Sequence, residues 1–242
     1  GSAAYRVLLN AIRRIEIPDS TTARSLVTFR DTLLDGQDRF AVDLLLGIIA
    51  RKISYKSMPL AENIMLPYIE LQRERSASIE ILRSFAVLGN SGVQSVLPVI
   101  ERRLQHSDSE VQQKAVSTLR FVESFRADTI LASMFTTDPD SMMLREMLSV
   151  IAFRGPCAVL THAQISVFSD VPNASLRMAI ISNLAPLYRT DYSVRVLIET
   201  AYDSDPSAAV RENARAIIDK FSESRKPKEF DCGTNQFQNI TN

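Results

Sequence analysis

The chain repeats itself about every 33 residues, and this period constrains the fold more than any other feature. In each copy an aliphatic residue is followed directly by a polar one, at successive spacings of 33, 32 and 34 residues. The four aliphatic positions are Val111, Leu144, Leu176 and Val210. The column continues backwards, in a looser register, to Ile79 and Val42. A repeat of this length predicts one supersecondary unit that is stacked several times.

Helical periodicity runs through every copy. Apolar residues recur three and four positions apart, as in Val111, Ala115 and Leu119, which forms one face of an α-helix. An acceptor side chain, often with a following proline, precedes each copy and is typical of a helix start. These start signals are Ser107-Asp108-Ser109, Asp138-Pro139, Asp170-Val-Pro172 and Asp205-Pro206. No strand-like alternation persists, so we predict an all-α protein: an N-terminal helix near 3–16, then six helix pairs. The predicted first helices lie near 20–34, 60–73, 92–105, 126–136, 158–169 and 190–202, and the second helices near 38–53, 75–89, 109–124, 140–153, 173–187 and 206–221.

Two first helices share a proline at the same place. Leu66-Pro-Tyr-Ile and Leu97-Pro-Val-Ile are 31 residues apart. Proline inside a helix removes a hydrogen bond and bends the axis, so this recurrence predicts a kink in both helices.

The order Leu-Pro-x-Ile, then Asp-Pro or Ser-Asp, then aliphatic-Arg-x-x-Ala resembles the HEAT repeat of the armadillo-like superfamily. The resemblance covers residues 60–221 well and 20–53 weakly. It implies a right-handed α-solenoid in one domain, residues 3–221, with second helices on the concave side. It also implies a ladder of aspartate–arginine hydrogen bonds between neighbouring repeats. The ladder residues are Asp138, Arg145, Asp170, Arg177, Asp205 and Arg211, and Gln112 interrupts the series in an earlier copy.

Charge and composition exclude several classes of protein. Twenty-eight basic and 28 acidic residues give a net charge of zero, which argues against a general nucleic-acid binder. Seven glycines are few for a protein of many tight β-turns, and no apolar run is long enough to insert into a membrane. Cys157 and Cys232 show no metal-site spacing, so we expect a buried thiol and a tail thiol, without a zinc site.

Catalytic signatures are missing from the sequence. His106 and His162 have no Glu at metal-site spacing, and no nucleophile elbow or phosphate-binding loop occurs. We therefore expect no enzyme activity, no cofactor and no metal. The alternative is a nucleic-acid-binding or base-processing protein, because some HEAT-like proteins are DNA glycosylases. Zero net charge and the absence of Trp count against it.

The stacked helix pairs are predicted to leave a long surface of second helices for a partner. Arginine is common on that surface, and its planar fork pairs well with carboxylates. The candidate partner-binding residues are Arg83, Arg120, Arg154, Arg189 and Arg215. We accordingly expect a non-catalytic scaffold or adaptor that binds another protein or peptide. Self-association through the end repeats is a third, weaker alternative.

The two ends of the sequence depart from the repeat. Residues 222–242 are polar, contain Pro227 and Gly233, and are expected to form a linker or to cap the last repeat. Gly1-Ser2 resembles the scar left by tag cleavage. The expected location is intracellular, either cytoplasmic or nuclear.

Overall fold

The structure is a computed structural model, and it describes residues 36–74, 78–137 and 139–223 together with Ser25 and Thr28. Apart from those two isolated helical residues, the predicted helices near 3–16 and 20–34 lie outside the described residues. The tail beyond residue 223 also lies outside them, as does the ladder residue Asp138.

Regular structure in the described residues is helical throughout, and no strand occurs among them. Eleven α-helices follow in this order: α1 (Gly36–Ser54), α2 (Met58–Glu74), α3 (Ser78–Ser91), α4 (Leu97–Leu104), α5 (Ser109–Thr118), α6 (Phe125–Met134), α7 (Ser141–Arg154), α8 (Ala158–Val167), α9 (Ala174–Leu184), α10 (Tyr192–Ser204) and α11 (Ala208–Glu223). Short 3₁₀ turns extend several of them. With those turns included, the bounds agree with the helices predicted beyond residue 38 to within about three residues.

The two repeated prolines occupy different helical positions. Pro67 lies inside α2, as predicted. Pro98 lies in the first turn of α4, because a 3₁₀ turn covers Gln94–Val96 and the α-helix begins only at Leu97. In the first turn of a helix the backbone N–H groups have no acceptor within the helix, so proline, which lacks an N–H, loses no helical hydrogen bond there. The prediction of an internal proline in both helices is therefore wrong for Pro98.

Side-chain caps begin many of the helices. Asp108 caps α5 within the predicted start signal, where its side chain accepts from the Glu110 amide at 2.9 Å. At α7 and α9 the capping residues are Asp140 and Asn173. Each lies two or three residues after the aspartate expected from the sequence. The capping chemistry was thus predicted correctly, but the capping position was shifted along the loop.

The described residues form two compact units, which divide between Glu123 and Ser124. In the first unit, α1, α3 and α5 pack side by side as one layer, with α2 and α4 on the other side. Gly47 of α1 permits the close approach of α3, since a Cβ there would stand 2.7 Å from the Val87 carbonyl oxygen. Arg103 of α4 contacts α2 by donating a 2.9 Å hydrogen bond to the Gln72 carbonyl oxygen.

The second unit has the same two-layer arrangement. Helices α7, α9 and α11 form one layer, and α6, α8 and α10 form the other. Asparagines tie neighbouring second helices together: Asn183 donates to the Leu148 carbonyl at 3.0 Å, and Asn213 donates to the Met178 carbonyl at 3.4 Å. In each bond the donor lies 35 residues after the acceptor, so the two bonds are equivalent contacts in successive repeats. The sequence repeat did not predict them.

The repeated aliphatic column lies in the core. Its members Val42, Val111, Leu144, Leu176 and Val210 are all buried. Burial of such a side chain contributes about 1.5–3 kcal/mol relative to leaving it in water. The side chain of Ile79 is outside the described residues, but every described member supports the repeat register predicted from the sequence.

Cys157 corrects one expectation. It precedes α8, is buried, and is disulfide-bonded instead of carrying the free thiol expected from the sequence. The sequence around Cys157 carries no local signature of this bond, so it could not have been predicted from spacing alone.

Candidate functional site

A groove opens between two neighbouring second helices of the first unit, α3 and α5. Its volume is about 280 Å³. It is lined by Leu82, Phe85, Ala86 and Gly89 of α3 and by Lys114, Ser117, Thr118 and Phe121 of α5 and the 3₁₀ turn after it. Because all of these residues belong to second helices or their extensions, the groove lies on the second-helix layer, where the sequence predicted a partner surface. We call it the α3–α5 groove.

Small side chains make the groove. Gly89 has no side chain to fill the gap, and a Cβ there would reach Cγ2 of Thr118 at 3.4 Å and Cδ2 of Phe121 at 3.5 Å. Thr118 presents its methyl group, because its hydroxyl donates to the Lys114 carbonyl at 2.7 Å. Phe85 is buried and Phe121 is half-buried. The result is an apolar floor that remains open to solvent.

One cation, Lys114, lines the groove, and two arginines are sequence neighbours of lining residues. Lys114 is exposed at the rim, and within the described residues no ion pair engages its ammonium group. Arg83 is exposed on α3, next to Leu82, as the sequence predicted. Arg120 is half-buried in the 3₁₀ turn Leu119–Phe121, next to Phe121. An apolar floor beside cations suits a segment that presents apolar anchors together with carboxylates.

One end of the α3–α5 groove is held by Arg51, which the sequence analysis did not single out. Its Nη1 donates to the Phe121 carbonyl at 2.6 Å, and its Nη2 pairs with Glu123 at 3.1 Å. The side chain passes over Gly92, whose φ of 65° favours glycine and where a Cβ would stand 2.2 Å from Nη1. Arg51 of α1 thus holds the 3₁₀ turn Leu119–Phe121, which follows α5 in the same helix layer.

Arg154 does not lie on the exposed surface, so the expectation that it points toward a partner is wrong. Its side chain is 6% exposed and pairs at 2.7 Å with Asp128, which is 3% exposed. Gly155, with a φ of 85°, ends α7 directly after it. Burial raises the pKa of Asp128, and the attraction of Arg154 offsets this only in part. The pair is therefore a buried structural contact of the second unit.

The other two candidate arginines lie in the second unit, far apart along the chain. Arg189 is half-buried, and its Nε donates to the Phe221 carbonyl oxygen at the end of α11. Arg215 is exposed and faces Asp219, one turn along α11, at 3.7 Å. The structure therefore gathers only Arg83 and Arg120, of the five candidates, on the helices that form the α3–α5 groove.

The structure brings together one aspartate and one arginine of the predicted ladder. Arg177 and Asp205 form two hydrogen bonds of 2.8 Å each, with their side chains 9% and 3% exposed. The hydrogen bonds from Arg177 hold the pKa of Asp205 below its usual range, and those to Asp205 raise the pKa of Arg177. Arg211 contacts the same residue through its backbone, donating to the Asp205 carbonyl at 2.6 Å.

Arg145 and Asp170 are not joined in the same way, and both are exposed. Within the described residues no ion pair or hydrogen bond links them, so this predicted rung of the ladder is absent. The spacing gives the reason. Asp205 precedes its own repeat's arginine by six residues, whereas Asp170 precedes Arg177 by seven, which displaces its carboxylate from the rung position.

A second regularity replaces part of the ladder. Arg177, Arg211 and Gln112 each donate to the carbonyl oxygen six residues earlier, at distances of 2.8, 2.6 and 2.7 Å. Gln112 therefore keeps the local bond from helix to loop although it lacks the charge for an ion pair. In the sequence these three residues directly follow the repeated aliphatic residue. That pattern predicted only the aspartate–arginine ladder, not these bonds to the carbonyl oxygens.

Across the described ranges, no three His, Cys, Asp or Glu side chains gather where they could hold a metal ion. None of the helices described there combines the length and apolarity required to cross a bilayer. Comparison with models of known protein families and with curated proteins gave no match.

Proposed function

We propose that the chain is a HEAT-like helical-repeat protein that acts as a non-catalytic scaffold and binds a partner protein or peptide along its second helices. The observation that carries the proposal is the α3–α5 groove, with its apolar floor and the exposed cations Lys114 and Arg83. The two-layer packing of helix pairs within each unit is consistent with stacked repeats.

The expected partner segment follows from the groove's chemistry. Leu82, Phe85 and Phe121 offer apolar contacts, so the segment should present apolar side chains at helical or extended spacing. Lys114 on the rim favours a carboxylate beside those anchors. The volume of the groove lies at the lower end of the range of about 300–1,000 Å³ for small-molecule sites, and it suits a few side chains of a longer segment.

A pull-down that compares two alanine-to-tryptophan variants tests this proposal. Ala86→Trp fills the groove from an exposed position, whereas Ala216→Trp adds the same ring to an exposed position on α11. Wild-type and variant proteins are incubated with lysate of the cells that make the protein, with and without nuclease treatment, and the bound proteins are identified by mass spectrometry.

The proposal predicts a protein that binds wild type and Ala216→Trp and is lost with Ala86→Trp. A partner that Ala86→Trp retains fully would contradict the groove as the binding surface. Loss of every partner on nuclease treatment would favour nucleic-acid binding instead. Matching melting temperatures for the two variants would show that the loss does not come from unfolding.

A further inference from the structure

A second cavity, separate from the α3–α5 groove, lies in the second unit. Its volume is about 250 Å³, and it opens between the turn after α6 and the turn after α8. Phe135, Leu144, Val167, Val171 and Leu176 contribute apolar walls. Pro139 and Pro172 lie on its two loops and stiffen them, because proline fixes φ.

Asp170 gives this cavity a charge. It lines the cavity and is exposed, and its Oδ1 accepts a 3.3 Å hydrogen bond from the neighbouring Ser169 hydroxyl. Among the described residues no cation pairs with it. The comparable carboxylate of Asp205, by contrast, is fully engaged by Arg177 in a bidentate pair.

We infer that this cavity binds an arginine side chain of a partner protein, with the guanidinium on Asp170 and the aliphatic stem against Leu144, Val171 and Leu176. The inference rests on charge complementarity and on shape. Arginine combines an apolar stem with a planar fork that matches a carboxylate bidentately. The cavity has room for one or two side chains, and among the described residues that line it Asp170 is the only carboxylate, beside apolar side chains and the hydroxyl groups of Thr136 and Ser141.

Two neighbouring cations oppose such a ligand: Arg177, which contacts Val171 and Pro172 but is paired with Asp205, and Arg145. Arg145 follows the lining residue Leu144 on α7 and is exposed. Its charge has the same sign as the incoming guanidinium, so its removal should strengthen binding. Removing the Asp170 carboxylate and removing the Arg145 charge should therefore change the affinity for the ligand in opposite directions.

The test is an NMR titration of the whole ¹⁵N-labelled chain with N-acetylarginine amide. N-acetylcitrulline amide, which has nearly the same shape and no charge, serves as the matched ligand. Saturable shifts are expected at the amides of Thr136, Ser141 and Val171 with the arginine compound, and much smaller shifts with the citrulline compound. Asp170→Asn should weaken binding about tenfold, the loss expected for a charge-assisted hydrogen bond. Arg145→Gln should tighten it.

Asp203→Asn, at an exposed aspartate of α10, is the control and should leave the affinity unchanged. Equal shifts from the two ligands, or an unaltered affinity in Asp170→Asn, would overturn the inference. N-acetyllysine amide binding as tightly as the arginine compound would overturn the assignment to arginine. The site lies in the second unit, so Ala86→Trp should not affect it, and this inference and the proposed function can fail separately.

Discussion

Arg177 and Asp205 are joined by two hydrogen bonds of 2.8 Å across 28 residues of sequence, with both side chains almost fully buried. The pair links the first turn of α9 to the loop that precedes α11. Arg177 also donates to the carbonyls of Val171 and Pro172 at 2.8 and 2.9 Å. One guanidinium thus organises two successive loops of the second unit.

Breaking this pair should destabilise the protein strongly. Arg177→Gln leaves the Asp205 carboxylate buried without its partner, and the expected loss in the free energy of unfolding is about 3–5 kcal/mol. Arg215→Gln removes an exposed pair at 3.7 Å and should change the same quantity by no more than about 0.5 kcal/mol. Urea unfolding followed by circular dichroism measures both. Equal effects from the two variants would show that the buried pair contributes no more than a surface contact.

Acid should weaken the Asp205 contribution. The pKa of Asp205 is depressed in the folded protein, so the unfolded state binds more protons over the interval between the two pKa values. Stability from this group is therefore present above about pH 4 and lost as the pH falls through the depressed pKa. The stability difference between wild type and Asp205→Asn should shrink on acidification. Asp128, whose pKa is raised, should give the opposite slope against Asp128→Asn.

The repeat register predicts a large difference between adjacent positions. Leu176→Asp places a carboxylate at a buried site, with an expected loss of several kcal/mol. Ser175→Asp adds the same group one residue earlier, at an exposed position in the first turn of α9. A negative charge near a helix N-terminus is neutral or mildly stabilising. Thermal unfolding distinguishes the two, and an unchanged melting temperature for Leu176→Asp would refute the register.

Two helical glycines should respond oppositely to alanine. At Gly47 the new Cβ would stand 2.7 Å from the Val87 carbonyl oxygen, so the α1–α3 contact has to open and the protein is destabilised. At Gly89 the nearest atom is 3.4 Å away, and alanine gains about 0.5–1 kcal/mol of helix preference. Denaturant midpoints compare the variants. A destabilised Gly89→Ala would mean that the α3–α5 groove lacks the space described for it.

Helices and core were predictable because their signals are local. The aliphatic column and its three-and-four spacing placed Val111, Leu176 and Val210 in the core, where the structure has them. Side-chain direction at helix ends was not predictable in the same way. Arg154 has the sequence context of an exposed helix-end cation, yet Gly155 ends the helix and the guanidinium turns back to Asp128.

The candidate site was predicted only in outline. Its location on second helices followed from the repeat, but the groove itself depends on the facing residues Gly89 and Thr118, which belong to different helices. Arg51 was not among the residues predicted to bind a partner, although it reaches 70 residues along the chain to Phe121 and holds one end of the groove. Contacts of this range depend on packing between helices, which no local pattern of residues encodes.

The most direct test of the proposed partner surface is photo-crosslinking from inside the α3–α5 groove. A benzophenone amino acid replaces Ser117 in the groove or Thr200 on the exposed face of α10, and each protein is irradiated in native lysate. Our account predicts one protein adduct from position 117 that is absent from position 200 and is suppressed by Ala86→Trp. Identical adducts from both positions, or none from position 117 while a partner still co-purifies, would contradict it.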